Sequence, residues 1–271
     1  LHKALLTISV FIMLAATIEG YTKGLFLFSA RWQLIGFLWI FLSALVFTLL
    51  ISSFLRFWKK IEDLVKCLVG KLSHLKSLNL IIFIIILILF PILTFGSLNK
   101  HFAGYFFRLS VLWLFTVIGC LALNSFYQTE KISPLFFVSL MLIGVSYQIA
   151  NYFRFISDNP FSLGWSEGSR YYYASLPFSH ALYGIELPLS FMHPSRYILQ
   201  AIPFLVNGLP IDAHRAWQVL MWIALLGIGV WGLVRRLHPE KPFYSLLLLA
   251  CGFLFLFQVP VYYHLMISAI F

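Results

Sequence analysis

Long apolar stretches recur along the whole chain, and short polar segments separate them. An α-helix needs about 20 apolar residues to cross the hydrocarbon core of a bilayer, where no backbone polar group can stay unpaired. Stretches of about that length predict a polytopic, all-α membrane protein with about seven transmembrane helices. The predicted spans lie near residues 4–22, 32–55, 78–96, 106–127, 134–153, 216–234 and 243–265.

The composition supports the same class of protein. Apolar residues make up 61% of the chain and charged residues only 10%, and the mean hydropathy is +0.93. A soluble domain has about a quarter charged residues, so most of this surface must face lipid. The chain begins with Leu1 and ends with Phe271 inside an apolar run, so we treat it as a possible fragment of a longer polypeptide.

The net charge of +10 does not indicate a nucleic-acid partner, because the basic residues lie at the ends of apolar spans. The segment 56–77 is predominantly basic and is therefore predicted to be cytoplasmic. Alternation of the spans then places the basic segment 235–241 inside and the loop 154–216 outside. Short loops favour the cytoplasmic (inner) membrane of a bacterium, with membrane lipids as partners.

Within the spans, few residues indicate chemistry. Pro91 is expected to kink the third span, and a neighbouring helix or a water would satisfy the carbonyl that it frees. Tyr147, Gln148 and Asn151 form a polar group near the outer end of the fifth span, where Gln148 and Asn151 share one helix face. An interhelical hydrogen bond is favoured over the lining of a pocket.

Cysteine and histidine give no metal or disulfide pattern. The cysteines are three in number and far apart, and none lies in the polar loop: Cys67, Cys120 and Cys251. The histidines of the loop show no short ligand spacing, and we interpret them as surface or substrate-facing residues: His180, His193 and His214. We therefore predict no metal site and no cofactor, although a divalent metal is not excluded.

The polar loop 154–216 differs from the rest of the chain. It holds four of the nine acidic residues, Asp158, Glu167, Glu186 and Asp212. Asp158 precedes Asn159-Pro160, which is typical of a turn. Asp212 precedes a helical pattern and is expected to cap it, while Glu186 is expected to point to water.

Glu167 lies in the most unusual part of this loop, Trp165–Ser175. The order there is Trp-Ser-Glu-Gly-Ser-Arg-Tyr-Tyr-Tyr-Ala-Ser, with a cation, Arg170, three residues after the carboxylate. Such a carboxylate is a candidate general base with an orienting partner. A structural ion pair at the membrane rim accounts for the same spacing equally well.

The segments 176–192 and 195–208 are too short and too rich in proline to span a membrane. In the second segment, apolar residues from Tyr197 to Leu205 recur at helical spacing. That pattern predicts helices that lie in the membrane interface.

A span followed by an outer acidic residue, by Arg and Tyr, by interfacial helices and by a returning span resembles the first large outer loop of GT-C-type glycosyltransferases. These polytopic enzymes take sugars from polyprenyl-phosphate or polyprenyl-pyrophosphate carriers. The resemblance covers Ile132 to about Tyr263, and its specific part is Trp165–Ser175. It implies residues 1–131 as four preceding spans and residues 132–271 as the start of the transferase core.

The resemblance also implies a role for each matching residue. Glu167 would be the catalytic acid–base residue, and Arg170 would contact the carrier phosphate or steady Glu167. Tyr171 and Tyr172 would shape the sugar site. Trp165 and Asp158 are further candidates for substrate binding.

Two other classes of protein stay open. A transporter or flippase of a lipid-linked precursor would use the loop as a gate, although that class more often shows internal repeats and ionisable residues in mid-span. A non-catalytic membrane scaffold would use the loop to dock another protein. The sequence leaves the sugar, the acceptor and the oligomeric state open.

Overall fold

A computed structural model of the chain describes residues 2–23, 39, 41–48, 63, 67, 70, 74–96, 99, 104–127, 132–164, 166–191 and 194–258. All regular structure in these residues is helical, in agreement with the predicted class. The α-helices are α1 (His2–Thr22), α2 (Lys76–Phe95), α3 (Tyr105–Tyr127), α4 (Ile132–Phe153), α5 (Glu167–Ser175), α6 (Ser179–Tyr183), α7 (Pro194–Ala201), α8 (Ile211–Leu237) and α9 (Pro242–Leu256). Residues 41–48 are helical as well.

Four helices are long and apolar enough to cross a membrane: Lys76–Phe95, Tyr105–Tyr127, Pro134–Phe153 and Ile211–Leu237. They coincide with four of the seven predicted spans, so the chain is a membrane protein by this criterion. Two shorter apolar helices, Thr7–Thr22 and Pro242–Leu256, overlap the predicted first and seventh spans. Much of the second predicted span, and most of the basic segment 56–77, lies outside the described residues.

The chain divides into two compact units, Leu1–Tyr147 and Gln148–Phe271. The functional division that the sequence predicts, between residues 131 and 132, stays a prediction.

In the first unit, α1, α2 and α3 pack around a shared apolar core. Its buried members are Met13, Ala16, Trp39, Ile86, Phe90, Phe107, Val111 and Ile143. Glu19, which interrupts the first apolar stretch, has a structural partner at the start of α3. Its carboxylate accepts the backbone N–H groups of Tyr105, Phe106 and Phe107 over 2.8, 2.7 and 3.1 Å. These donors have no partner within their own helix, so Glu19 caps α3 from another helix.

Pro91 lies inside α2, where it cannot donate the hydrogen bond that the carbonyl of Leu87 would otherwise accept. The hydroxyl of Ser146, on α4, donates to that carbonyl instead. The structure therefore confirms that a neighbouring helix satisfies the carbonyl freed by proline.

In the second unit, two short helical segments follow α5 and α6. The predicted helix over 195–208 is α7 followed by a 3₁₀ turn, Ile202–Leu205, that contains Pro203. The indole Nε1 of Trp217 on α8 donates to the Leu199 carbonyl of α7 over 2.8 Å. This bond attaches α7 to the first turns of α8.

Helix α8 begins five residues before the predicted span start at residue 216. The expectation that Asp212 caps this helix is wrong, because the N-cap residue is Pro210, in an extended conformation. Asp212 lies in the first turn, where its Oδ1 accepts the backbone N–H of Ala213 over 2.9 Å. The earlier start places Arg215 inside the helix.

Candidate functional site

A buried ion pair joins the start of α5 to the start of α8. Arg215 Nε donates to Glu167 Oε1 over 2.6 Å, and Arg215 Nη2 donates to Glu167 Oε2 over 3.0 Å. Each side chain is only 4% exposed. A two-pronged pairing of this kind fixes the orientation of the carboxylate as well as its charge.

Arg215 also holds the turn that precedes α5. Its Nη1 donates to the backbone carbonyl of Ser157, and Asp158 lies close enough to act on the guanidinium electrostatically. One arginine therefore connects the turn after α4, the first residue of α5 and the second turn of α8. The observed bend at residues 157–159 agrees with the predicted turn at Asp158.

Arg170 does not pair with Glu167, although it lies one helical turn away on α5. The cation that steadies Glu167 is Arg215, so that part of the expectation for Arg170 is wrong. Arg170 Nη2 instead donates to the Leu163 carbonyl over 2.8 Å. Its side chain lines a cavity, which leaves it in a position where it can meet a ligand.

The cavity in the second unit has a volume of about 290 Å³. Aromatic rings and a few polar groups line it, together with the single charged side chain of Arg170: Asn151, Tyr152, Phe155, Ser162, Leu163, Arg170, Gln218, Val219 and Trp222. Trp222 is held by Tyr152, whose ring centroid is 4.0 Å away, and by Phe257, at 4.7 Å. Apolar walls with few polar groups and one cation suit a sugar or a phosphate ester.

Asn151 lies in this cavity wall, so the sequence-based preference for an interhelical hydrogen bond over a pocket lining is wrong for this residue. Gln218, three residues after Arg215 on α8, faces the cavity as well. The polar end of α4 and the polar start of α8 thus contribute to one cavity.

Tyr171 lies one turn after Glu167 on the same face of α5. Burial raises the pKa of its hydroxyl above the ordinary value of 10.0, and the negative charge of Glu167 raises it further, whereas Arg170 and Arg215 act in the opposite direction. No hydrogen bond of ordinary length joins this hydroxyl to a described residue, although it lies close enough to interact with the Glu167 carboxylate. The phenol therefore keeps its proton at neutral pH.

The other predicted site residues are not part of the Glu167–Arg215 pair or of the described cavity lining. Tyr172 is 47% exposed, contacts the Tyr173 ring and does not line the cavity. Trp165 lies outside the described residues. Glu186 is exposed, as predicted.

His214 was expected at the surface or facing substrate, and the surface position is wrong. It is buried on α8, where its ring contacts Phe204 at 4.4 Å and Tyr171 at 5.9 Å between centroids. His180 is exposed. Among the described residues, no three His, Cys, Asp or Glu side chains gather as they would around a metal ion.

Arg215 is the residue that sequence reasoning missed. Starting the span at residue 216 left Arg215 in the loop, where an arginine needs no partner. An ionisable side chain inside a membrane helix does need one, and the loop 154–216 offers only four carboxylates. That signal would have limited the partners of Arg215 to Asp158, Glu167, Glu186 and Asp212.

No protein-family model, no curated protein and no solved structure matches this chain.

Proposed function

We propose that this chain is a membrane glycosyltransferase of GT-C type, or the N-terminal part of one. It moves a sugar from a polyprenyl-phosphate or polyprenyl-pyrophosphate carrier to an acceptor on the extracytoplasmic side of a bacterial inner membrane. The resemblance of Trp165–Ser175 to the catalytic loop of that superfamily supports the reaction class.

One observation carries the proposal furthest. Arg170 faces an aromatic cavity, and the buried Glu167–Arg215 pair lies one helical turn away along α5. A cation beside aromatic walls suits the phosphate and the sugar of a donor. A fixed carboxylate nearby suits the proton of an acceptor.

The bond changes are simple. The bond between the anomeric carbon and the carrier oxygen breaks, the anomeric carbon bonds to the acceptor atom, and the carrier leaves as a phosphate or pyrophosphate anion. Arg170 stabilises the negative charge on that leaving group. Glu167 takes the proton of the attacking substrate group. An ionised carboxylate can accept about four hydrogen bonds, and Arg215 uses two of them, so Glu167 keeps the capacity to bind that proton. Tyr171, one helical turn after Glu167, stays a candidate for the sugar site, whereas Tyr172 does not line the cavity and has no part in this step.

Transfer is measured with the full chain in proteoliposomes, with radiolabelled polyprenyl-phosphate and polyprenyl-pyrophosphate sugars and a cell-envelope extract as the source of acceptor. The wild type transfers label to the extract. Glu167→Gln abolishes transfer, and Arg170→Lys weakens it, because lysine lacks the planar fork of arginine. Arg154→Lys is the matched control, because Arg154 is exposed and does not line the cavity.

Loss of activity through unfolding is separated by the double variant Glu167→Met, Arg215→Met, which removes both charges of the pair. A folded but inactive double variant supports a chemical role for Glu167, and full transfer by it overturns that role. Movement of intact donor across the bilayer without transfer favours the transporter. If neither activity occurs although the wild type and all variants stay folded, the proposed transfer is overturned and the scaffold is favoured.

A further inference from the structure

The segment 157–164 covers the start of α5 and forms one edge of the cavity, through Ser162 and Leu163. Two of its residues have positive φ, Phe161 at 57° and Gly164 at 109°. A bulky residue such as phenylalanine rarely adopts this conformation, so the closed form of the segment is strained at Phe161. The Phe161 ring is 59% exposed and lies over Gly168, whose added Cβ would be 3.8 Å from Phe161 Cε1.

Two arginines hold this segment by its backbone. Arg215 donates to the Ser157 carbonyl at one end, and Arg170 donates to the Leu163 carbonyl at the other over 2.8 Å. The two bonds differ in what surrounds them. Arg215 is buried against Glu167, whereas Arg170 lines the cavity, where a ligand can reach it.

A phosphate oxygen is a stronger acceptor for a guanidinium than a peptide carbonyl, because it carries negative charge. An anionic group in the cavity therefore competes with Leu163 for Arg170. Loss of that bond leaves Phe161 and Gly164 in conformations of positive φ with one fewer contact to hold them.

We propose that the segment 157–164 is a lid, latched by the bond from Arg170 to the Leu163 carbonyl and released when a phosphate-bearing ligand takes Arg170. Arg215 keeps the Ser157 end attached, and the Glu167 N–H donates to the Gly164 carbonyl over 3.0 Å at the other end, so the middle of the segment, around Phe161 and Leu163, moves outward. Opening exposes the start of α5, where Glu167 is only 3% exposed in the closed form. Binding of the donor's phosphate thus opens the lid, and the acceptor can then reach Glu167. The nature of the ligand and the approach of the acceptor to Glu167 rest on the proposed function; the latch stands on the geometry of the segment.

The test measures how fast a charged maleimide labels Ser162→Cys, because the Ser162 hydroxyl is buried in the closed lid. The full chain is used with its native cysteines Cys67, Cys120 and Cys251 replaced. Labelling is followed without ligand, with inorganic pyrophosphate, and with a polyprenyl phosphate in detergent micelles. Ser169→Cys is the control for reagent access, because Ser169 is exposed.

Two variants test the latch without any ligand. Arg170→Met removes the bond to Leu163, and Gly164→Ala places a side chain where φ is 109°. When either change is added to Ser162→Cys, the labelling rate is expected to rise several-fold. Gly208→Ala is the matched glycine control, because φ is also positive there, at 75°, and the residue lies outside the segment 157–164 with no neighbour within 4 Å of an added Cβ; it leaves the rate unchanged.

Faster labelling in both latch variants, and in the chain that carries Ser162→Cys alone with a phosphate-bearing probe, supports the lid. A response to pyrophosphate identifies the phosphate group alone as sufficient, and a response only to the polyprenyl phosphate assigns the site to a lipid headgroup. Unchanged labelling in both variants overturns the lid, and so does protection of the introduced cysteine by ligand. If the variants respond and neither probe does, the latch stands but its ligand, and with it the proposed donor, is wrong.

Discussion

At the scale of single residues, the Glu167–Arg215 pair matters for stability because both of its charged side chains are buried, at 4% exposure each. Removing one partner leaves the other charged and buried, which costs about 3–5 kcal/mol. We expect Glu167→Met and Arg215→Met each to lower the free energy of unfolding by that amount. Denaturant or thermal unfolding in detergent measures it.

The double variant is expected to recover most of the lost stability, since two apolar side chains of similar size need no partner. Recovery is incomplete, because Arg215 also donates to the Ser157 carbonyl. Additive losses in the double variant would contradict a coupled pair.

The raised pKa of Tyr171 predicts that the stability of the protein depends on pH in the alkaline range. Its pKa in the folded protein is raised above 10.0, so this tyrosine gives no pH dependence well below pH 10.0. Above that pH the unfolded chain loses the proton first, and stability falls as pH rises towards the higher folded value. We expect Tyr171→Phe to lose less stability than the wild type above pH 10.0, measured by unfolding across this range.

Tyr172→Phe is the control, because that side chain is exposed. Equal alkaline losses in wild type and Tyr171→Phe would mean that the hydroxyl at position 171 is not buried beside Glu167.

Glu167 could be singled out from sequence because a carboxylate among glycines and tyrosines is unusual in a chain with nine acidic residues. Its partner could not, because spacing along one helix favours Arg170, whereas Arg215 lies 48 residues away. The burial of His214 could not be predicted from the sequence either, because it depends on how α7 and α8 meet. Local pattern thus singles out an unusual residue better than it identifies the residues that contact it.

At the scale of elements, Pro91 and Ser146 form a pair that can be tested by mutation. Ser146→Ala leaves the Leu87 carbonyl without the donor that replaces the missing proline N–H. We expect this variant to lose about 1–3 kcal/mol, the cost of a buried group left unpaired. Unfolding of the purified protein in detergent measures the loss.

The matched background is Pro91→Ala, in which α2 regains its own N–H donor for the Leu87 carbonyl. There Ser146→Ala should cost much less. An equal cost in both backgrounds would show that Ser146 acts through other contacts.

Helices were predictable where apolar runs are long, as in α2, α3 and α4, because a bilayer dictates both their length and their composition. The sequence also predicts a helix that starts at Asp212, close to the observed Ile211, but it places the membrane span only from residue 216, because the residues from Asp212 to Arg215 are mostly polar. A buried partner makes that polarity compatible with a helix. The division of the segment 194–205 into α7 and a 3₁₀ turn reflects Pro203, which cannot donate within a helix.

At the scale of the whole molecule, the charge pattern predicts which side of the membrane each loop occupies. A cysteine introduced by Ser169→Cys should react with a membrane-impermeant maleimide from outside intact cells, and one introduced by His238→Cys only after the membrane is opened. Both positions are exposed, so access depends on topology rather than burial.

The assay uses a background without native cysteines, and labelling after permeabilisation controls for reactivity. Reaction at position 238 but not at position 169 in intact cells would reverse the proposed orientation.

The class of the molecule was predictable from composition, since 10% charged residues cannot cover a soluble surface. The cavity was not, because it joins the end of α4, the segment 157–164, α5 and α8. The first three parts follow one another along the chain, but α8 begins only at Ile211, and no local pattern shows that it meets them.

The Glu167–Arg215 bond also imposes an order on biosynthesis. Synthesis proceeds at about 5–20 residues per second, so the 48 residues between the two partners take roughly 2–10 s to make. During that interval the nascent chain presents Glu167 without its cation, and the first turn of α5 cannot settle. A ribosome that stalls before Arg215 therefore leaves a chain in which the Glu167 carboxylate lacks its partner from α8.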